Sequence, residues 1–183
     1  MVVGTPSETS PPDLLGISLN CVDVSDPTSD DFDDFDDFDH DAHMRRAFEL
    51  AREAADRGDR PFGSVLVRDD AVIMADSNRV VTEDDVRRHP ELHLAYRACR
   101  ELEPDERAET VMYTSTEPCP MCAGGMVSAG FARVVYSVSS EEIAEFTGNE
   151  PSVRSAEILD GVSDVVGPVL NEEGRRIHRD FDW

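Results

Sequence analysis

Apolar residues along the chain first follow a helical spacing and then form short runs that are typical of strands. Between residues 41 and 58 they recur three and four positions apart, which predicts an amphipathic helix. The apolar face of this helix consists of Met44, Ala47, Phe48, Ala51 and Ala55. Apolar runs at 64–67 and 72–75 follow, and the polar residues 68–70 between them predict a β-hairpin.

The second half of the chain alternates between helical and extended patterns. The predicted elements are a helix from Pro90 to about Leu102, a strand at 111–115, a helix to about Ala129, a strand from Arg133 to Val138, a helix at 140–147 and a short amphipathic helix after Pro168. Residues 151–167 fit neither pattern. Alternation of this kind predicts an α/β sheet with helices on both faces.

Composition separates an N-terminal tail from a single domain. Residues 1–40 contain no basic residue and carry paired aspartates around Phe32, Phe35 and Phe38, so we predict a disordered acidic tail followed by one domain at 41–183. The three phenylalanines fit either a solvated spacer or a short helix that docks on a partner. The sequence shows neither a secretory leader nor a membrane span, so we expect a cytoplasmic protein.

The charge balance is strongly acidic. The chain has 40 acidic and 17 basic residues, a net charge of −23, and every basic residue is arginine. Such a surface stays hydrated in concentrated salt, where its self-repulsion is screened, and this predicts a halophilic source. It also opposes binding to nucleic acid, for which phosphate contacts dominate the affinity.

Two short segments carry side chains that suit a zinc ion. They are His89-Pro90-Glu91 and Pro118-Cys119-Pro120-Met121-Cys122. Zinc favours imidazole and thiolate ligands, and a catalytic zinc keeps three protein ligands and one position for water. His89, Cys119 and Cys122 supply the three ligands, and Glu91 is close enough in sequence to reach the water. We therefore predict a catalytic Zn²⁺ site with Glu91 as the proton carrier.

The prolines of these segments predict how the ligands are held. Proline fits the first helical turn and pushes the residue before it towards an extended conformation, so His89 and Cys119 are predicted N-cap residues. The positive ends of both helices would then face the metal and favour the thiolate forms of Cys119 and Cys122.

The cysteines and histidines could also form a disulfide or a closed structural zinc site. A disulfide between Cys119 and Cys122 is disfavoured in a reducing cytoplasm. A closed structural zinc needs a fourth ligand, and Cys99 lies about 15 Å along the helix from His89, too far to share the ion. His93, one turn after His89, is expected to support the site or an interface rather than to bind the metal. The remaining histidines, expected to be solvated, are His40, His43 and His178.

The pattern His-x-Glu followed by Pro-Cys-x-x-Cys resembles the signature of zinc deaminases. The likeness extends over roughly residues 41 to 147 and includes Pro61-Phe62-Gly63, Asn78 and Thr114-Ser115-Thr116-Glu117. The chain is thus similar to the cytidine deaminase-like superfamily, in particular to guanine, cytosine and tRNA adenosine deaminases. The resemblance implies a three-layer α/β/α sandwich with a central mixed sheet, hydrolytic release of ammonia and an oligomer, which we expect to be a homodimer.

The resemblance also implies which residues touch the substrate. Asn78, Phe62, Pro118 and Cys119 match substrate-contacting positions, although a turn-capping asparagine would look the same in sequence. Trp183 belongs to a C-terminal segment that closes over the pocket in related free-base deaminases. A flat aromatic face, a lid and an acidic surface favour a small nucleobase or nucleoside, guanine first. The alternatives are cytosine or cytidine, tRNA adenosine and, in a different class, a non-catalytic structural zinc module.

Overall fold

Seven α-helices and five strands make up the part of the chain that the computed structural model describes, residues 33–183. The helices are α1 (His40–Arg57), α2 (Pro90–Glu101), α3 (Pro104–Ala108), α4 (Pro120–Ala129), α5 (Ser140–Thr147), α6 (Ser155–Ile158) and α7 (Asn171–Arg179). The strands are β1 (Gly63–Arg68), β2 (Ala71–Ser77), β3 (Val111–Thr116), β4 (Arg133–Val138) and β5 (Asp164–Val166). No helix in this part is both long and apolar enough to cross a membrane.

The five strands form one mixed sheet in the order β2-β1-β3-β4-β5. β1 pairs antiparallel with β2 and β3, while β3, β4 and β5 run parallel. Helices α1 and α7 contact one face of the sheet, and α2, which packs on α4, contacts the other. The predicted α/β architecture with a mixed sheet and helices on both faces is confirmed.

The strands of the sheet centre are buried on both faces, as expected when helices cover both sides. Alternate residues of β1 and β3, such as Leu66 and Met112, join a core with Leu94 of α2 and Met126 of α4. Their neighbours Val65 and Tyr113 are also fully buried. This packing fixes β1, β3 and the two helices that carry the predicted metal ligands.

Helix α1 lies very close to the start of β1. The helix begins after Asp39, whose carboxylate accepts a bond from the amide of Ala42, and ends at Gly58 in the left-handed conformation. At Gly63, a Cβ atom would lie 2.4 Å from the carbonyl oxygen of Ala47, so only glycine fits there. The glycine of the Pro61-Phe62-Gly63 segment is therefore explained by helix–strand contact.

The end of the predicted tail differs from expectation. Residues 1–32 lie outside the described residues, but Asp33–Asp37 forms a short 3-10 helix. The ring of Phe35 lies 4.2 Å from the guanidinium carbon of Arg133, and His40 Nδ1 lies 2.7 Å from the Tyr113 hydroxyl. The aromatic residues at this end of the tail thus pack on the domain itself. Sequence patterns cannot indicate this packing, because the contacted residues Arg133 and Tyr113 lie far away along the chain.

Predicted and observed elements agree closely up to residue 147, and the differences lie beyond it or in short helices. Residues 151–167, which fitted no pattern, contain α6 and the edge strand β5. The three-residue β5 is the shortest strand and has little periodicity to detect. It nevertheless completes the parallel half of the sheet.

Candidate active site

Two helix N-termini converge at the predicted metal ligands. His89 is the N-cap of α2 and Cys119 is the N-cap of α4, both with extended backbone angles, and Pro90 and Pro120 occupy the first helical turns. Neither N-cap side chain is used to cap its own helix. Both side chains are therefore free to face a ligand, as the sequence predicts.

The three predicted ligands form a compact group. The Cys119 and Cys122 sulfurs are 3.5 Å apart, and His89 Nδ1 lies 3.9 Å from the first and 3.5 Å from the second. For a tetrahedral zinc with ordinary bond lengths, the sulfur–sulfur edge is about 3.8 Å and the sulfur–nitrogen edge about 3.6 Å. The group therefore fits a zinc ion.

No fourth ligand joins this group among residues 33–183. His93 lies outside this group, against the Asp76 carboxylate and the Arg88 guanidinium. Cys99 is exposed, and its thiol faces the carbonyl of Ser128. A centre with three protein ligands leaves a coordination position open, which is the arrangement of catalytic rather than structural zinc.

The pKa values of the two cysteines shift in opposite directions. Donation from the Cys122 thiol, assisted by His89, lowers the pKa of Cys119 to about 4. The Cys119 sulfur and burial in turn raise the pKa of Cys122, while Cys119 also raises the pKa of His89. The two sulfurs thus share a proton that a divalent cation would displace, since metal binding requires thiolates.

Glu91 is buried beside the ligand group. Its Oε1 accepts a hydrogen bond of 3.0 Å from the Thr114 hydroxyl, and its Oε2 lies 3.5 Å from the Cys122 sulfur. Burial raises the pKa of Glu91, and the charge of His89, the amide of Glu91 itself and the Thr114 hydroxyl only partly offset this. No arginine binds the Glu91 carboxylate within the described residues, so burial leaves it ready to take up a proton.

A cavity of about 200 Å³ opens beside these residues. His89, Glu91 and Cys119 line one side, which we call the metal side. A second part of the lining, which we call the outer wall, comes from α5 and residues 148–154. Its lining residues include Ile143, Thr147, Asn149, Glu150 and Ser152.

Aromatic rings close the rim between the two sides. Phe62 and Trp183 line the cavity, with ring centroids 5.9 Å apart. The indole nitrogen of Trp183 donates to the carbonyl of His178, and the His178 ring stacks on the indole. The C-terminal segment therefore reaches the cavity within one chain, where the sequence predicts a lid.

The other predicted substrate contacts have different surroundings. Asn78 is buried, and its Oδ1 accepts from the amide of Val80, so it does cap a turn. Its Nδ2 has no partner among the described residues. Neither Asn78 nor Pro118 is among the residues that line the cavity. The structure thus brings Phe62, Cys119 and Trp183 to the cavity, and the other two are not in its lining.

Some site residues escaped sequence reasoning. His178 was expected to be solvated, but it is 1 % exposed and lies under Phe62 and Trp183. His43 is also buried and pairs with Asp70. The whole outer wall was missed because no motif marks it.

Comparisons with known proteins agree on one family. The model of the MafB19-like deaminase family matches residues 38–165. A probable cytosine deaminase of Schizosaccharomyces pombe is 35% identical over 152 residues, which cover 76% of this chain and 90% of that protein. A guanine deaminase of Bacillus subtilis is 36% identical over 107 residues, 58% of this chain and 69% of that protein. A solved tRNA:A34 deaminase is similar with a TM-score of 0.57 and 27% identity, covering 75% of this chain and 99% of that one.

Proposed function

Because the chain belongs to the MafB19-like deaminase family, within the cytidine deaminase-like superfamily, we propose that it removes the amino group of a free purine base, guanine first. At the coarser level the chain is a deaminase of the cytosine, guanine or tRNA adenosine type, a hydrolase that breaks a C–N bond. The choice of guanine, the metal and the roles of individual residues belong to the proposal.

His89, Cys119 and Cys122 would hold the metal, because their donor atoms and spacing fit zinc. When bound with one open position, zinc supplies Lewis acidity and lowers the pKa of a coordinated water towards neutrality. The two helix N-termini at His89 and Cys119 add positive potential on the same side. The metal side therefore concentrates the groups that the hydrolysis needs.

Glu91 would carry the protons of the reaction. It accepts one proton from the attacking water and passes it to the ring nitrogen beside the amino-bearing carbon. It then accepts the second proton from the hydroxyl group added to that carbon and delivers it to the departing ammonia. Thr114 holds Oε1, so Oε2 is the oxygen left to exchange protons. A carbon–oxygen bond replaces the carbon–nitrogen bond, and the water supplies every proton that the ammonia takes.

The observation that carries the substrate proposal is the small cavity with an aromatic rim. Its volume of about 200 Å³ is below the range of roughly 300 Å³ and more that pockets for drug-sized ligands occupy. Phe62 and Trp183 offer flat faces on which a bicyclic base can stack. Both features support a free base over a nucleic acid strand.

Charge supports the same choice. A net charge of −23 and the absence of lysine oppose a polyanionic substrate, because phosphate contacts need cationic side chains. Fifteen of the 17 arginines make a hydrogen bond, an ion pair or a ring contact within the protein. Among the described residues the other two are Arg52 and Arg60, and of these Arg60 lines the cavity, where it is the one arginine left to contact a substrate.

Cytosine is the second candidate. The relative named for cytosine shares 35% identity along 90% of its own length, and a pyrimidine also fits the cavity volume. The test is a panel of guanine, cytosine, cytidine, adenosine and a tRNA anticodon stem-loop, assayed for ammonia release in concentrated KCl. We expect the highest kcat/KM for guanine. A tenfold preference for cytosine or cytidine would overturn the purine proposal, and efficient inosine formation in the stem-loop would overturn the small-substrate proposal.

A further inference from the structure

Glu117 is a buried carboxylate in the lining of the cavity, and its hydrogen bonds go to the protein. Its side chain is 0% exposed. One oxygen accepts from the Arg154 guanidinium at 2.9 Å and from the amide and hydroxyl of Ser155 at 3.0 Å each. The other accepts from the amide of Ser140 at 2.9 Å. The carboxylate thus accepts four hydrogen bonds from the protein, and its oxygens have little capacity left to bind a substrate.

The donors lie at both ends of the outer wall. Ser140 is the first residue of α5, and Ser155 is the first residue of α6. Between them lie the rest of α5 and residues 148–154, which supply the outer-wall lining. Glu117 itself stands two residues before Cys119, and its amide is tied to the sheet through the carbonyl of Val138. One side chain therefore connects the outer wall to the metal side.

We infer that Glu117 is a positioning residue that sets the distance between the outer wall and the metal ligands, and thereby substrate affinity. The inference rests on the proposed function only in taking this cavity as the active site. A buried charge is costly unless its hydrogen bonds are complete, and here they are. Arg154 strengthens the connection, since it also donates to the Tyr136 hydroxyl and to Glu141.

If Glu117 were only structural, its loss would lower stability without a specific effect on KM. Asp59 is a matched control for this comparison. The Asp59 side chain is also 0% exposed and accepts from the amides of Val81 and Thr82 and from the Thr82 hydroxyl. It fixes the turn at 79–85, from which no residue lines the cavity. Asp59→Asn and Glu117→Gln thus remove comparable buried charges, and of the two only Glu117 binds both ends of the outer wall.

The experiment compares these two variants with wild type as full-length, zinc-loaded protein. It measures zinc per chain, Tm, KM and kcat on whichever base of the panel the wild type turns over best, and hydrogen exchange of the amides at 148–154. We expect both variants to keep zinc and to lose stability. Only Glu117→Gln should raise KM at least tenfold with a smaller change in kcat, and only it should exchange faster at 148–154.

A KM within twofold of wild type, or unchanged exchange at 148–154, overturns the inference. So does an equal rise of KM in Asp59→Asn. If Glu117→Gln does not fold, Ser155→Ala removes only the hydroxyl donor, and the same two readouts should change in the same direction by at least twofold. Hydrogen exchange does not depend on the substrate. If wild type does not deaminate guanine, the proposed substrate is wrong, but the exchange data still test the positioning role of Glu117.

Discussion

The metal side and the outer wall face the same cavity but are built in different ways. Each metal-side residue lies in one of two short segments, at a helix N-terminus whose position proline fixes locally. The outer wall is held by contacts between residues far apart in sequence, and Glu117 binds partners 23 and 38 positions away. One side is thus specified by local sequence, and the other by tertiary contacts.

Two glutamates show what this difference means chemically. Glu91 and Glu117 are both buried, with 4% and 5% of the whole residue exposed. Burial raises the pKa of Glu91, and the charge of His89, the amide of Glu91 and the Thr114 hydroxyl offset this only in part. Burial opposes ionisation of Glu117 as well, but Arg154 and the amides of Ser140 and Ser155 hold the pKa of this carboxyl below its ordinary value. A buried carboxylate without an arginine partner can take up a proton, whereas one bound to an arginine stays ionised and acts as an anchor.

The largest expected effect is loss of the metal. Cys122→Ser should reduce zinc per chain from one to near zero and abolish ammonia release, because it removes a soft ligand of the predicted centre. The matched control is Cys99→Ser, since Cys99 is exposed and lies outside the ligand group. Metal analysis and turnover assays should show a change only in the first variant. Equal zinc contents would contradict the assigned ligand set.

Glu91→Gln tests the proton carrier without touching the ligands. It should keep one zinc per chain and a wild-type fold, yet lower kcat by several orders of magnitude, since general acid–base transfer contributes about 10²–10⁴-fold per step. Steady-state kinetics measure kcat, and metal analysis of the same preparation measures zinc per chain. More than a tenth of wild-type kcat would mean that another group moves the proton.

A smaller effect is expected at the rim. Trp183→Ala removes an aromatic face worth on the order of 1 kcal/mol, which corresponds to a roughly fivefold rise of KM for a purine base. Tyr96→Ala is the control, because Tyr96 is 55% exposed on α2 and does not line the cavity. If both variants bind substrate as wild type does, the C-terminal segment is only packing on the domain.

The last expected effect is on stability rather than on turnover, and it concerns the support under the rim. Burial lowers the pKa of His178 to about 4, so between pH 6.5 and about 4 the unfolded chain binds more protons than the folded one. The unfolding free energy is therefore not reduced by His178 above pH 6.5, and it decreases as the pH falls below that value because protonation of His178 favours the unfolded chain. Between pH 7 and 5 we expect wild type to lose on the order of 2 kcal/mol more unfolding free energy than His178→Gln. Denaturant titrations at both pH values measure this, and parallel losses would refute it.

Short-range signals were enough to predict most of the fold and the metal side. Helical spacing predicted α1, and prolines predicted the starts of α2 and α4 and the N-cap positions of His89 and Cys119. These predictions depend on residues within a turn or two of each other, where spacing and backbone preference act directly. The residue types of zinc chemistry then predicted the three candidate ligands, which the structure brings together.

Only the tertiary structure decided the rest. His178 looks like any surface histidine in sequence, yet α7 places it beneath Phe62 and Trp183. Likewise the motif that contains Glu117 is visible in sequence, but its hydrogen-bond partners are known only once the sheet brings it to the first residues of α5 and α6. The burial and partners of a side chain depend on residues remote in sequence, so local patterns define the chemistry of the metal side, whereas the shape of the outer wall emerges only on folding.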